Sequence, residues 1–560
     1  MSAGFMVSNI FSTILRALCP LLFMFLVFKL VEFAVKIWWI PLTLTKFMEK
    51  QGIRGPPYKF LHGNNKEVGL MVMESSAKPM DFSHDIFPRV QPHFYSWIKI
   101  HGSVLLCWLG PKPQLIVTDP ELIREILNNK RGDFQKPKKN SIVKRLLGDG
   151  LVSANGEKWV RHRKLANKAF NGESLRVTPL SLSLFLYMGL RIFIYTDLEQ
   201  QVDKGENLET FFASQARVEE GVLSKMVISV EEMISRWRDY EGRDTEISGE
   251  FRVLTLDVIS RTAFGSSYLQ GKNMFDLLAK LGKIVASNVQ KIDFPGSGLF
   301  QSKDEAEAKI LDQQITKSIM KMIEAREKKV RNGDANGYGD DYFGMLLQSQ
   351  VNSNISLQDI VDECKTFYLA GHETTSALLT WTVVLLAMHP EWQERARKEV
   401  IQVLGSNTPS IDGLAQLKIM NMLINESLRL YPPVLFLTKA SIRKVRVGKF
   451  TIPSGMELVV PPLAAYHDPS QWGDDVNLFK PERFAQGVTT AASTQVSFIP
   501  FGYGPRICVG LNFATLEAKV ALSMILRCYT FTLSPSYQHA PALRITMGPQ
   551  HGAPIIIHSQ

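Results

Sequence analysis

One segment constrains the fold more than any other: "SLQDIVDECKTFYLAGHETTSALLTWTVVLLAMHP", from Ser356 to Pro390. It opens on a serine suited to cap a helix and stops at a proline, which cannot continue one. The roughly 30 residues between them are apolar on most sides. A helix with one apolar stripe lies on a surface, whereas a helix apolar nearly all round must be wrapped by other elements. The chain is therefore expected to pack around this helix. Its 560 residues, 45% hydrophobic and 21% charged, suffice for a large globular core.

Other helical patterns support a mainly α fold. "GEKWVRHRKLANKAF" (Gly156 to Phe170) reads as a basic amphipathic helix, and "SKMVISVEEMISRWRDY" and "FRVLTLDVISRTAFG" as two more. "LINESLRLYPP" is a helix ended by two prolines. "VLLCWLG" and "QLIVTD", between Val104 and Asp119, are strand-like and predict a small β lobe near the N-terminal side. Irregular chain rich in proline and aromatics is expected from Val459 to Phe501, and no internal repeat is present.

The N-terminal stretch from Ile10 to Val35 is long enough for the roughly 20 residues of a membrane span. Arg16, Lys29 and Glu32 interrupt it, which leaves Ile14–Phe33 or Phe5–Phe28 as the span; Lys29 and Glu32 are spaced to pair on one helix face. No small-residue cleavage site follows, so residues 1–35 read as an uncleaved anchor. Lys36, Lys46, Lys50, Arg54 and Lys59 come next, which puts the bulk of the chain on the cytosolic side, with Trp38 and Trp39 at the interface. Residues 36–60 read as a basic, proline-containing linker to a single domain at 61–560. The net charge of +10 suits an anionic membrane or an acidic partner protein. No nucleic-acid motif or dense basic stripe is present, so nucleic acid is not expected as a partner. Five scattered cysteines without a CxxC pair argue for a reducing compartment rather than a disulfide framework.

The chemistry points to one cysteine. In "FIPFGYGPRICVGLNFATLEAKVAL" (Phe498 to Leu522), Cys508 stands just before a helix pattern, among glycines at 502, 504 and 510. Those glycines permit positive φ and close approach to a flat ligand. A helix N-terminus favours thiolate, and Arg506 is placed to bind a carboxylate. One cysteine cannot hold zinc or an iron–sulfur cluster alone. It can hold one axial site of a haem iron, whose porphyrin supplies four nitrogens and two propionates.

The pattern Phe501-x-x-Gly504-x-Arg506-x-Cys508-x-Gly510 resembles the haem-ligand signature of the cytochrome P450 family. The resemblance covers residues 36 to 560 apart from 177–223, and is to plant microsomal members. It implies a mainly α fold with a small β lobe behind an N-terminal anchor. It implies haem b (iron protoporphyrin IX) as cofactor, with Cys508 as axial ligand and Phe501, Gly504, Arg506 and Gly510 in the haem-binding loop. Ala370-Gly371-His372-Glu373-Thr374-Thr375 resembles the family's mid-helix acid–threonine pair, with Thr374 and Glu373 delivering protons and small Ala370 and Gly371 leaving room for dioxygen. A zinc helix would need histidine at 376, where Ser376 stands. Glu426 and Arg429 are spaced to pair on one helix face; the resemblance adds Arg483, giving a structural network that seats the cysteine loop. Trp159 and Arg163, one turn apart, match residues that reach a haem propionate. Lys439 stands where relatives often place an arginine, keeping the charge but losing the fork. Arg161, His162 and Lys164 read as a solvated basic face that helps dock a reductase. Phe367, Ala370, Val434, Leu435 and Leu437 are expected to line an apolar substrate pocket.

The implied function is a haem-thiolate monooxygenase of the endoplasmic reticulum membrane. It inserts one atom of dioxygen into an apolar small molecule, with NADPH electrons delivered by NADPH-cytochrome P450 reductase. Two alternatives stand beside it: an oxygen-independent haem-thiolate isomerase or dehydratase, and a non-functional or mis-spliced copy. The second rests on residues 177–223, where a Leu/Ser-rich run resembling a translated intron separates "AFNGESL" from "ISVEEMISRW". If the segment is genuine, a surface loop is expected there.

Overall fold

The computed structural model describes residues 18, 20–170, 208–288 and 302–560, and for 208–220 and residue 270 the backbone alone. The anomalous segment falls largely outside the described residues. From Leu208 its backbone is helical and runs unbroken to Trp237.

The all-round apolar segment forms a helix over Leu357–Met388. Ser356 accepts the Asp359 N–H, and Asp359 accepts the Ser356 N–H, a reciprocal cap that sets the start. Pro390 sets the end, opening the next helix, Pro390–Leu404. From Ile360 to Ala387 this central helix is buried at every position except Ala370, Gly371, Glu373 and Thr374. That interruption of burial is the first structural mark of a site.

The helix Ile247–Ala263 lies closest against the central helix. Thr255 Oγ1 donates to the His372 carbonyl at 3.2 Å. A side chain at Gly371 would meet Ile259 at 3.0 Å. The absence of a side chain there serves this helix contact, a reason the sequence reading did not supply. Helices Lys418–Leu430 and Leu511–Cys528 also pack on the central helix.

The β lobe draws on both halves of the chain. Strands β1 (Val104–Leu109) and β2 (Lys112–Val117) form the expected hairpin. The sheet continues with β3 (Phe134–Gln135), β4 (Leu437–Ser441) and β5 (Glu457–Val460), in the order β1-β2-β5-β4-β3. The β2–β5 pairing is parallel and the others antiparallel. Gln135 pairs with Ala440, so the same register brings Lys136 beside Lys439.

Residues 20–34 are helical, and their apolar side chains up to Val31 are exposed. Lys29 pairs with Glu32 at 2.8 Å. The expected span begins in residues outside the described ones. Among the described residues, no helix is long and apolar enough to cross a membrane.

Candidate haem-binding site

The cysteine loop is closed by its own backbone. The Cys508 N–H donates to the Phe501 carbonyl at 2.7 Å. Gly502 and Gly504 adopt φ of +78° and +74°. At Gly504 a Cβ would come within 2.5 Å of the Leu127 carbonyl, so the loop is pressed onto the end of helix Pro120–Leu127. Gly510 departs from the expectation of positive φ, because its φ is −92°. It serves the sulfur instead: its N–H bonds to Cys508, and a Cβ there would stand 3.9 Å from Sγ.

Cys508 keeps accessible surface, yet surrounding protein raises its thiol pKa. Burial outweighs the Gly510 N–H and the Arg163 charge, both of which favour thiolate. The expected preference for thiolate at this helix start is therefore not met by the chain alone. Desolvation is the larger effect, and a metal bound at sulfur is what would deprotonate it.

Trp159 and Arg163 act on this loop. Arg163 Nη1 donates to the Ile507 carbonyl at 2.6 Å. The Arg506 guanidinium lies 4.3 Å over the Trp159 ring. Arg506 also donates to the Ala154 carbonyl at 2.8 Å and to Asn155 Oδ1 at 3.2 Å. Asn155 in turn brackets Lys136, accepting its N–H at 2.9 Å and donating to its carbonyl at 3.2 Å.

Three cations thus gather without an anion among the described residues. Burial, then the Arg163 charge, pushes Arg506 down to about 10. Burial, then Arg506, pushes Lys136 down to about 8. Burial, then Lys136 and Arg506, pushes Lys439 down to about 8. No carboxylate pairs with them among the described residues. Desolvated, mutually repelling cations of this kind call for an anionic ligand. The two propionates of a haem would match their charge, and Cys508 is the sulfur at hand for its iron. Lys136 and Asn155 escaped the sequence reading. The one signal for Lys136 was the basic run "KPKKN", which does not reveal that it folds against Lys439.

The accessible patch of the central helix holds the acid–threonine pair. Thr374 Oγ1 donates to the Ala370 carbonyl at 2.8 Å. Glu373 lies 3.2 Å from His372 Nε2 and 3.8 Å from Arg252 Nε, and accepts from Thr546 Oγ1 at 3.5 Å. Burial raises the Glu373 pKa, but His372, Arg252 and Thr546 together hold it below the usual value. Arg252 and Thr546 come from remote elements and have no local sequence signal.

Two expected pocket residues belong to the core. Phe367 is buried, stacked 5.0 Å from Phe170 and tilted 4.5 Å from Tyr342. Leu435 is buried as well, and its carbonyl accepts from Gln91. Ala370, Val434 and Leu437 retain accessible surface. His162 is also corrected. It is 1% exposed, not part of a solvated face, whereas Arg161 and Lys164 are exposed.

Arg429 grips Glu426 with two bonds of 2.7 Å. Arg483 Nε stands 3.6 Å from the same carboxylate, and the Lys480 N–H donates to it at 2.9 Å. Among the described residues, no cluster of histidine, cysteine and carboxylate side chains is set to hold a metal ion by itself.

The family model described as "Cytochrome P450" matches residues 89–183 and 207–551. The chain is 45% identical over 557 residues to Cytochrome P450 CYP749A22 of Panax ginseng, covering 98% of this chain and 97% of that one. It is 38% identical over 533 residues to 7-deoxyloganic acid hydroxylase of Catharanthus roseus, covering 93% and 94%. It is 38% identical over 540 residues to 11-oxo-beta-amyrin 30-oxidase of Glycyrrhiza uralensis, again covering 93% and 94%.

Proposed function

Because this chain belongs to the cytochrome P450 family and is a monooxygenase, we propose that it inserts one oxygen atom into an apolar small molecule. NADPH-cytochrome P450 reductase supplies the electrons. The observation that carries this reading is the gathering of Lys136, Lys439 and Arg506 with no carboxylate partner among the described residues, Arg506 standing two residues before Cys508.

Cys508 would hold the iron through sulfur, and the three cations would take the propionates. Haem bound there would supply the dioxygen chemistry of a monooxygenase. The side chains divide the remaining work. Ala370 and Thr374 present the accessible patch toward the reacting side. The Thr374 hydroxyl, parked on the Ala370 carbonyl, holds the proton to be delivered. Glu373, kept ionised by His372, Arg252 and Thr546, would accept a proton from solvent and pass it on to replace that of the hydroxyl. Val434 and Leu437 offer apolar contact to the substrate. Two relatives are named for oxidising 7-deoxyloganic acid and 11-oxo-beta-amyrin, and the same reaction class is proposed here.

Exposed apolar side chains from Leu21 to Phe28, with Trp38 and Trp39, support attachment to the endoplasmic reticulum membrane. The defective-copy reading keeps one support: the family model skips residues 184–206.

The test is the reduced carbon monoxide difference spectrum of the membrane-expressed chain and of Cys508→Ser. The wild type is expected to show the Soret band of a thiolate-ligated haem, and the variant to lose it. A folded, haem-loaded wild type without that band would overturn the reading, as would a variant that keeps it.

A further inference from the structure

The helix Gly156–Phe170 works through two faces. Trp159 and Arg163 address the cysteine loop. One position earlier, Lys158 and His162 form a second pair one turn apart. They meet Asp359 and Glu363, also one turn apart, on the central helix. Lys158 Nζ lies 2.7 Å from Asp359 Oδ1 and 3.1 Å from Asp149 Oδ2. His162 Nδ1 donates to Glu363 Oε1. The second Glu363 oxygen accepts from the Tyr342 hydroxyl at 2.9 Å. Burial and the Glu363 charge push the Tyr342 pKa well up, so that hydroxyl remains a donor.

His162 is 1% exposed and Glu363 0%. Among the described residues His162 Nε2 has no hydrogen-bond partner, and Asp359 Oδ1 stands 3.9 Å from it. A buried pair like this is weak evidence for stability, because apolar residues of similar volume often serve as well. Its directional geometry is better suited to fixing register between two elements. The register that matters is visible in the chain. Thr374 follows Glu363 by about three turns on the central helix. Arg163 follows His162 directly, and its guanidinium holds the carbonyl of Ile507, the residue before Cys508.

We infer that His162 and Glu363 are positioning residues: their bond sets the helix Gly156–Phe170 so that Arg163 and Trp159 hold the cysteine loop in register with the Thr374 patch. The assignment rests on the haem-thiolate reading. Neither residue touches the reacting atoms; each acts through Arg163, Trp159 and the loop.

The test uses the full haem-loaded chain with three variants: His162→Leu, His162→Gln and the double variant His162→Leu/Glu363→Leu. Two signals are followed: the Soret position of the reduced carbon monoxide complex, and the rate of haem transfer to excess apomyoglobin. Far-UV circular dichroism reports folding. His162→Leu strands the buried Glu363 side chain, so the double variant, which removes both partners, decides the matter if the single one fails to fold. The double variant is expected to release haem about tenfold faster, the size usual for lost supporting contacts at a metal site, and to lose part of its thiolate-type band. His162→Gln keeps an N–H donor and is expected to restore most of both signals. A folded double variant with wild-type haem release and spectrum would overturn the proposal, as would a His162→Gln variant no better than His162→Leu. A wild type without a thiolate-type spectrum would overturn the haem-thiolate reading itself and this assignment with it.

Discussion

Replacing Arg429 by methionine keeps much of the side-chain volume and removes the charge. The guanidinium makes five bonds: two to Glu426, and one each to the carbonyls of Tyr466, Val476 and Leu478. Arg429 and Glu426 are both 0% exposed, so no water replaces what is lost. Glu426 keeps the Lys480 N–H, and Arg483 at 3.6 Å, too few partners for a fully desolvated carboxylate. Removing one partner of a buried pair costs about 3–5 kcal/mol, a large share of the roughly 5–15 kcal/mol that holds a typical fold. With a urea slope of about 3 kcal/mol/M, about 4 kcal/mol moves the midpoint by somewhat more than 1 M. The assay is urea unfolding of the haem-loaded protein, followed at the Soret band and by far-UV circular dichroism. The Soret transition should move first, because the carbonyls of Val476 and Leu478 lie on the irregular segment leading to the cysteine loop. The double variant Glu426→Leu/Arg429→Leu should recover part of the loss, since it strands no charge. A midpoint shift under about 0.3 M for Arg429→Met, equivalent to under 1 kcal/mol at that slope, would refute the reasoning.

Three further outcomes are expected. Thr374→Ala should keep the carbon monoxide spectrum while product formed per NADPH consumed falls about a hundredfold, measured by coupled NADPH and product assays once a substrate is found; unchanged coupling would remove Thr374 from proton delivery. Stability should fall with acid. Burial, with nearby His389, His539, His467 and Arg429, holds His84 at about 3, and burial, with Arg89, holds His539 at about 4. Both are neutral in the fold and bind protons when unfolded below the ordinary value of 6.5, so their contribution is complete above that pH and shrinks from there down toward the folded values. At pH 5.5 the two together cost about 2.5 kcal/mol; unfolding midpoints from pH 7 to 5 should show that slope in the wild type and a shallower one in His539→Gln. Deleting residues 184–206, which the family model skips, should raise the yield of protein with a thiolate-type spectrum; equal yields would mean that the segment is tolerated.

The sequence alone determined the parts of this protein whose physics is local. The helix Leu357–Met388 was legible because its cap, its closing proline and its apolar surface all lie within one segment. The cysteine loop was legible because a tight turn needs its glycines at fixed offsets from Cys508. Glu426 and Arg429 were legible because three residues is one helical turn. Tertiary structure decided everything that depends on which remote segments meet. It brought Lys136 to Lys439 through the β3–β4 register, and Arg252 and Thr546 to Glu373. It also reversed two local readings. His162 sits in a basic run that looks solvated, yet it is buried because Glu363, itself held by Tyr342, arrives from another helix to receive it. Cys508 stands at a helix start that favours thiolate, yet packing raises its pKa. Spacing along a chain records which side chains share a turn; the cost of removing a charge from water depends on what the rest of the chain places around it.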